Sequence, residues 1–436
     1  MKNLIYMFAA LAARITQGVA PLVGMRRLAD LLHPHGVKIT WHVSADSARI
    51  AKDDLTRWHE EAGDEVAVAV PEPLTGKREE KKKKLAAERD AIQKALPWAD
   101  LSIAAGGHQD PEMVGILDEL GFIGLWGFCW EQIEVDRITD RGCPWGFYYI
   151  DPKQRLRPAP GRGVIGMEWT ARDLLKSFHS GNPCLYSTDP NDVARGGICS
   201  WEDIDYWKGM ADNYLRNTRY NEYVFFLQHQ EAHETECNEH FHCYTEEDIR
   251  EANIMTEELV KHLKGSVQMM TLQEAAALYR ERYEKTESSY MLWEDTPVRR
   301  PNPDYSWSTA WGPWPKTFLF FDRSAQMMFV EGKVEPVCIR NYSRELVPDE
   351  YFREASIPRV RLVANTRYHW DREIELKVVS PRDMPFGMAL WEDFSLYQVA
   401  DAPGLVEGKI LSRELLFLRY DLRKGDNAFK VKLRGK

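Results

Sequence analysis

The sequence lacks paired cysteine spacing, a long apolar run and any surplus of positive charge, and each absence removes a class of protein. Its seven Cys, at positions 129, 143, 184, 199, 237, 243 and 338, are an odd number with no CxxC among them. That argues against a disulfide scaffold and against a structural zinc site, and leaves reduced thiols as the simpler reading. No stretch reaches the roughly 18 apolar residues of a membrane span, so no membrane partner is expected. A formal net charge of -10 leaves no basic excess to neutralise phosphates, and nucleic acid is not an expected partner either.

What is present is ordinary in bulk and unusual in detail. With 436 residues, 44% hydrophobic and 28% charged, the chain is long enough for one large globular domain and a smaller one. Fifteen Trp is a high number. Indoles stack on sugar rings, and they also fill cores and domain interfaces. At the start, Lys2 and the apolar stretch 4–13 have the outline of a signal peptide, which would make the protein secreted. The same residues serve as a first buried strand, the reading the rest of the pattern requires, and a cytoplasmic location goes with it.

Up to about residue 285, short apolar runs alternate with segments of helical period. Strands are expected at 4–10, 37–43, 65–70, 101–105, 122–128, 163–167, 223–227 and 266–270. Helices are expected at 19–32, 52–61, 77–96, 111–120, from Ala171, from Trp201, at 246–263 and at 272–283. This alternation predicts a parallel sheet covered by helices, and its seven or eight units predict closure into a barrel. The Lys-rich run 81–84 sits beside Glu79, Glu80 and Glu88 and reads as an ion-paired, solvated helix face. After residue 290 prolines break the helical pattern and short strand-like runs follow. The expected architecture is an irregular (β/α)7 barrel over residues 1–290 and an all-β, sandwich-like domain over 291–436.

Parallel barrels carry their chemistry at the C-terminal ends of strands. That rule selects Arg14 and Gln17 after the first strand, His42 at the end of the second, Glu72 after the third and His108 after the fourth. It also selects Trp130 and Glu131 after the fifth, Glu168 and Trp169 after the next, and His229, Glu231, His233 and Glu234 after the seventh. If the seventh strand stays extended, the period of two puts Phe225, Leu227, His229, Glu231 and His233 on one face, running from apolar to ionisable. The same run also reads as a polar surface loop. Glu131, next to Trp130, has the surroundings that raise a carboxyl pKa by desolvation and suit it to proton transfer. Glu168 sits similarly before Trp169. Asp189, in the run Ser187-Thr188-Asp189-Pro190, is a third acid, although that run is also turn chemistry.

Two carboxylates facing each other across a barrel mouth are what glycoside hydrolysis needs. A metal is the competing use of these residues: His229, Glu231 and His233, with His42 or His108 added, would offer imidazole and carboxylate ligands. The spacing of His233, His240 and His242 matches neither HExxH nor a structural zinc site, so no cofactor is expected.

Several segments resemble the superfamily that joins polysaccharide deacetylases to the glycoside hydrolases of families 57 and 38. They are Val37-Lys38-Ile39-Thr40-Trp41-His42-Val43, Ala62-Gly63-Asp64-Glu65-Val66-Ala67, Asp118-Glu119-Leu120-Gly121-Phe122 and Met270-Thr271-Leu272-Gln273-Glu274-Ala275. The resemblance covers residues 1 to about 285 and implies an irregular seven-stranded (β/α) barrel. The deacetylases carry Asp-Asp after the first strand and His-x-x-x-His after the third; here Ala12-Ala13-Arg14-Ile15-Thr16 and Val68-Ala69-Val70-Pro71-Glu72 stand in those places. The family 57 pattern, a Glu after a middle strand and an acid on the seventh, implies Glu131 and the Glu231 region.

The sequence therefore predicts a carbohydrate-active hydrolase that cleaves a glycosidic bond in an oligo- or polysaccharide. Its carboxylates come from Glu131, Glu231, Asp189 and Glu168. Its substrate-binding groups are His42, His108, Trp130, Trp169, His229, His233, Arg14 and Gln17. A metal-dependent deacetylase and a non-catalytic carbohydrate-binding protein are the alternatives.

Overall fold

The computed structural model of the protein describes residues 3–71, 74–107, 110–128, 146–152, 154–173, 186–190, 201–219, 221–286, 289–293, 317–322, 327–329, 359–380, 383–413 and 415–436. The first strand, β1 (Leu4–Leu11), is apolar at every position and nearly all buried, as a parallel strand covered on both faces must be. It leads through α1 (Leu22–Leu32) to β2 (Ile39–Val43), then through α2 (Ala45–Ile50) and α3 (Lys52–Ala62) to β3 (Glu65–Ala69). Next come α4 (Arg78–Ala95), β4 (Ile103–Ala105), α5 (Met113–Glu119) and β5 (Gly124–Phe128). An antiparallel hairpin of β6 (Tyr148–Asp151) and β7 (Gln154–Pro158), not anticipated from sequence, precedes β8 (Ile165–Glu168). Then follow α6 (Asp205–Asn217), β9 (Val224–Glu231), α7 (Glu246–Leu263), β10 (Gln268–Met269) and α8 (Leu272–Arg282).

Seven strands run parallel in the order β9, β1, β2, β3, β4, β5, β8. Strand β10 pairs with the first half of β1, on the edge whose second half pairs with β2. The sheet curls until its ends meet: the Ala171 N–H just beyond β8 donates to the Leu227 carbonyl of β9 at 2.6 Å. The result is the irregular barrel expected. Period-two alternation divides each strand between two cores. Ile5, Met7 and Ala9 join Ala67, Ile103, Ile165, Met167, Phe225 and Leu227 inside, while Leu4, Tyr6, Phe8 and Trp41 face the helices.

Two expected helices are corrected. The segment from Ala171 does not begin as a helix, because Arg172 bridges Ser187 and the Asp173 N–H donates to the Tyr186 carbonyl, which holds residues 171–173 extended. The one expected from Trp201 begins with a short 3-10 turn, and the α-helix starts at Asp205. The Lys-rich helix α4 is ion-paired, but to a neighbouring segment more than to itself: Lys81 meets Asp110 and Glu112, and Arg78 and Lys82 meet Glu119. Among the described residues, no helix is long and apolar enough to cross a membrane.

Beyond residue 285 every described element is a strand. β11 (Ser289–Trp293), β12 (Thr317–Asp322) and β13 (Met327–Phe329) form one antiparallel sheet. β14 (Arg359–Tyr368), β15 (Asp371–Ser380), β20 (Gly425–Gly435) and β17 (Tyr397–Asp401) form a second in that order, and β16 (Met384–Trp391), β19 (Leu415–Leu422) and β18 (Leu405–Ser412) a third. Along β15 burial alternates strictly, with Ile374, Leu376 and Val378 inside. The last two sheets touch through the rings of Tyr420 and Phe429, 4.4 Å apart.

Candidate active site

The C-terminal ends of β2, β5, β8 and β9 hold a connected set of rings. Small residues make room for them: Ala67 lies beside His42 in the ladder, Ala105 beside Trp126 and Ala9 beside His229. The His42 and Trp126 ring centres are 4.4 Å apart, Trp126 and His229 5.2 Å, and Trp169 and His229 4.9 Å. The Trp126 indole N–H donates to the backbone carbonyl of Trp169 at 3.1 Å, which ties the Trp126 ring to the chain just beyond β8.

The Trp169 indole N–H donates to Nδ1 of His229. An indole nitrogen only donates, so that bond fixes the imidazole as neutral, with its proton on Nε2. Burial, helped by the neighbouring His42, Arg172 and His233, lowers the His229 pKa well below its usual value. Its Nε2 is buried with no hydrogen-bond partner among the described residues. His42 is fully buried, both its ring nitrogens lack partners among the described residues, and burial lowers its pKa to about 3. The barrel therefore ends in two neutral imidazoles with unused donor and acceptor capacity. In a core that would be costly; in a binding wall it is what a ligand's hydroxyls or carbonyls would satisfy.

Carboxylates surround these rings. Asp189 places Oδ2 3.8 Å from Nδ1 of His229, outside hydrogen-bond range and facing a nitrogen that already accepts from Trp169. Glu168, buried at the end of β8, accepts from the Gly146 N–H at 2.8 Å. Glu231 is the last residue of β9, and there the expected alternation stops. Ala232–Thr235 form a 3-10 turn, so His233 does not continue the strand face, contrary to the extended reading. The turn still folds His233 back, and its Nε2 lies 3.1 Å from Glu231. The same Nε2 accepts from the Arg14 guanidinium at 2.9 Å, from a residue 219 positions away in sequence. Burial first, and Arg14 second, lower the His233 pKa to about 4.

Arg14, Glu168, Trp169, Asp189, His229, Glu231 and His233 thus gather with His42 around the end of β8 and β9. Gln17 does not join them. It occupies the exposed tip of a tight turn closed by Thr16 and Val19, with φ 51°, and no hydrogen bond links it to the cluster among the described residues. Glu131, Trp130 and His108 lie outside the described residues. Sequence reasoning missed Trp126, which touches both imidazoles, because it sought residues at and beyond the last position of each strand and Trp126 lies inside β5. Its alternation with Gly124 and Phe128 was the available signal.

Glu231, His233 and Glu234 each bring a ligand-capable atom within 4.8 Å of one another. Oxygen and imidazole donors suit a divalent cation, but the arrangement does not fit one. Arg14 already uses the Nε2 lone pair of His233, which leaves the proton on Nδ1, and it puts a fixed positive charge beside the donors. The surface groove between α1 and α7, bordered by Arg27, Asp30, Glu246 and Glu257, includes none of these residues.

No protein-family model matches the chain, and no curated protein matches it in sequence. Among solved structures it is similar to a putative polysaccharide deacetylase from Mycobacterium smegmatis, with 13% identity, a TM-score of 0.42, and 66% of this chain and 94% of that one covered. It is similar to the Puue allantoinase at 11% identity and a TM-score of 0.45, covering 65% and 93%. The 4-alpha-glucanotransferase from Thermococcus litoralis gives 8% identity and a TM-score of 0.39, with both chains covered in full. These are similarities of chain path, and the functional reading rests on the side chains above.

Proposed function

We propose that the protein is a carbohydrate-active hydrolase that cleaves a glycosidic bond at the C-terminal mouth of its barrel. The observation that carries this reading is that Glu231 and Asp189 each stand beside a neutral, buried imidazole at the same end of the barrel, near two indoles and, among the described residues, two imidazoles with unpartnered nitrogens. Glycosidic cleavage needs one carboxyl group to protonate the leaving oxygen and a second to attack or to activate water. Proton transfer is assigned to Glu231, whose carboxylate lies 3.1 Å from Nε2 of His233, the nitrogen that accepts from Arg14. Asp189 or Glu168 supplies the second carboxyl group, and Glu131 remains a proposed member of the set. His42, His229 and Trp169 bind sugar hydroxyls and the ring face, which consumes the unused imidazole capacity.

Turnover of a panel of reducing-end-labelled oligosaccharides by the wild type, Glu231→Gln, Asp189→Asn and Glu168→Gln tests the assignment. The expected result is hydrolysis by the wild type and loss in Glu231→Gln together with one of the other two. Undiminished turnover in Glu231→Gln overturns it. Elemental analysis of the purified chain separates the deacetylase alternative, since a stoichiometric metal lost in His233→Ala would displace the carboxylate reading.

A further inference from the structure

The hairpin joining β14 to β15 turns in two residues, His369 and Trp370, closed by the pair Tyr368 and Asp371. Its tip carries rings where a tight turn ordinarily carries glycine or asparagine. Tyr368 is 76% exposed and Trp370 68%. His369 takes φ 51°, the left-handed region in which a side chain is strained and glycine is not. Aromatic exposure at Tyr368 and Trp370 and backbone strain at His369 coincide in one turn. Glu392 clamps the strands beneath the tip, with its carboxylate 2.7 Å from Arg367 and 3.1 Å from the buried Arg372. Gly435 on β20 leaves the space that Trp370 occupies, for a Cβ there would lie 2.7 Å from the Cβ of Trp370.

The surroundings identify the kind of ligand. The strand face leading away from the tip is polar: Lys430 is paired with Glu373 and Glu375, and Lys432 with Glu373. Next to the tip stand the exposed Asp371 and, opposite each other in register, the exposed Gln398 and Arg434. A protein partner would need about 800 Å² of complementary surface on each side with an apolar centre, which two rings on a charged face do not provide. Two exposed aromatic rings amid planar carboxylate, amide and guanidinium groups match a pyranose, whose C–H face stacks while its hydroxyls are bound in the ring plane.

We propose that Tyr368 and Trp370 form a second saccharide-binding site, on the antiparallel region and separate in sequence from the barrel mouth, that holds polymeric substrate without cleaving it. The proposal rests on the carbohydrate reading of the mouth, and its test keeps the two apart. The full chain is run through native gels cast with amylose, xylan or glycol chitin, alongside Tyr368→Ala, Trp370→Ala, His369→Gly and Glu231→Gln. At least one polymer should retard the wild type and Glu231→Gln equally. Tyr368→Ala and Trp370→Ala should weaken that retardation about tenfold, the size of a typical binding hot spot. His369→Gly, which keeps both rings and removes the strain, should retain it. Tyr368 packs too little to affect folding, so it decides the matter if Trp370→Ala is unstable. Retardation by no polymer, equal retardation of Tyr368→Ala, or a dimer in sedimentation that Tyr368→Ala dissolves would each overturn the proposal. Tip-dependent retardation in a chain that hydrolyses no oligosaccharide sinks the mouth assignment alone; hydrolysis without it sinks the tip alone.

Discussion

Each end of the barrel holds a histidine, an aspartate and a tryptophan in contact, and the two sets are wired differently. At the N-terminal end Asp64, 1% exposed, accepts from the Ile39 N–H at 2.9 Å, from the Trp41 indole at 2.7 Å and from His33 at 3.0 Å. The carboxylate is fully employed in tying the start of β2 to the start of β3. At the C-terminal end Trp169 donates to His229, Asp189 stands 3.8 Å away without a hydrogen bond to it, and the second nitrogen of His229 and both nitrogens of His42 have no partner among the described residues. The same residue types have their hydrogen-bonding capacity filled at one end and, among the described residues, left open at the other.

The comparison can be broken most sharply through activity. Glu231→Gln should lower turnover by roughly a hundred- to ten-thousand-fold, the usual range for a lost acid or base, with the chain folded as before. At the other end Asp64→Ala should do the reverse. Urea unfolding is expected to show a loss of about 3 to 5 kcal/mol, because two buried donors, Ile39 and Trp41, and the partly buried His33 lose their acceptor, while turnover per folded molecule persists. Loss of turnover without loss of stability in that variant would erase the distinction between the two ends.

Acidity sharpens it further. His42 and His233 titrate at about 3 and 4 in the folded chain against 6.5 for a free imidazole, so between those limits the unfolded chain binds protons that the folded chain refuses. Stability is then full above about pH 6.5 and falls with acid by about 1.4 kcal/mol per pH unit for each imidazole, flattening below their folded values. Unfolding curves at pH 7, 6 and 5 measure this slope. The smallest expected effect belongs to His42→Phe. Replacing an unpartnered buried imidazole with an apolar ring should leave stability at pH 7 unchanged or slightly higher and reduce the acid slope by one group's share, while weakening substrate binding.

The sequence made the strands and long helices legible because their signals are local. Helix α7 begins and ends where its period says, capped by Thr245, whose hydroxyl accepts from the Asp248 N–H while the Asp248 carboxylate accepts from the Thr245 N–H. Strand β9 was visible as an apolar run, and its continuation through His229 to Glu231 followed from pairing with β1 along its whole length. What escaped is long-range. Asp64 was visible only as part of a family-like segment, since its partners lie 23 to 31 residues away. The Arg14 contact that settles the His233 tautomer spans half the chain, and the turn at Ala232 that ends the strand has no glycine or proline to mark it. Composition and period reveal where a wall stands; which nitrogen bears its proton depends on a neighbour from another strand.

The most direct test of the central claim is a paired measurement on Glu231→Gln: turnover on the oligosaccharide panel and midpoint of thermal unfolding, both against wild type. The account predicts turnover reduced at least about a hundredfold with a midpoint shifted by no more than about 2 °C, as for a half-buried polar replacement outside the core. Turnover close to wild type, or a collapse of the midpoint that accounts for the lost activity, would contradict it.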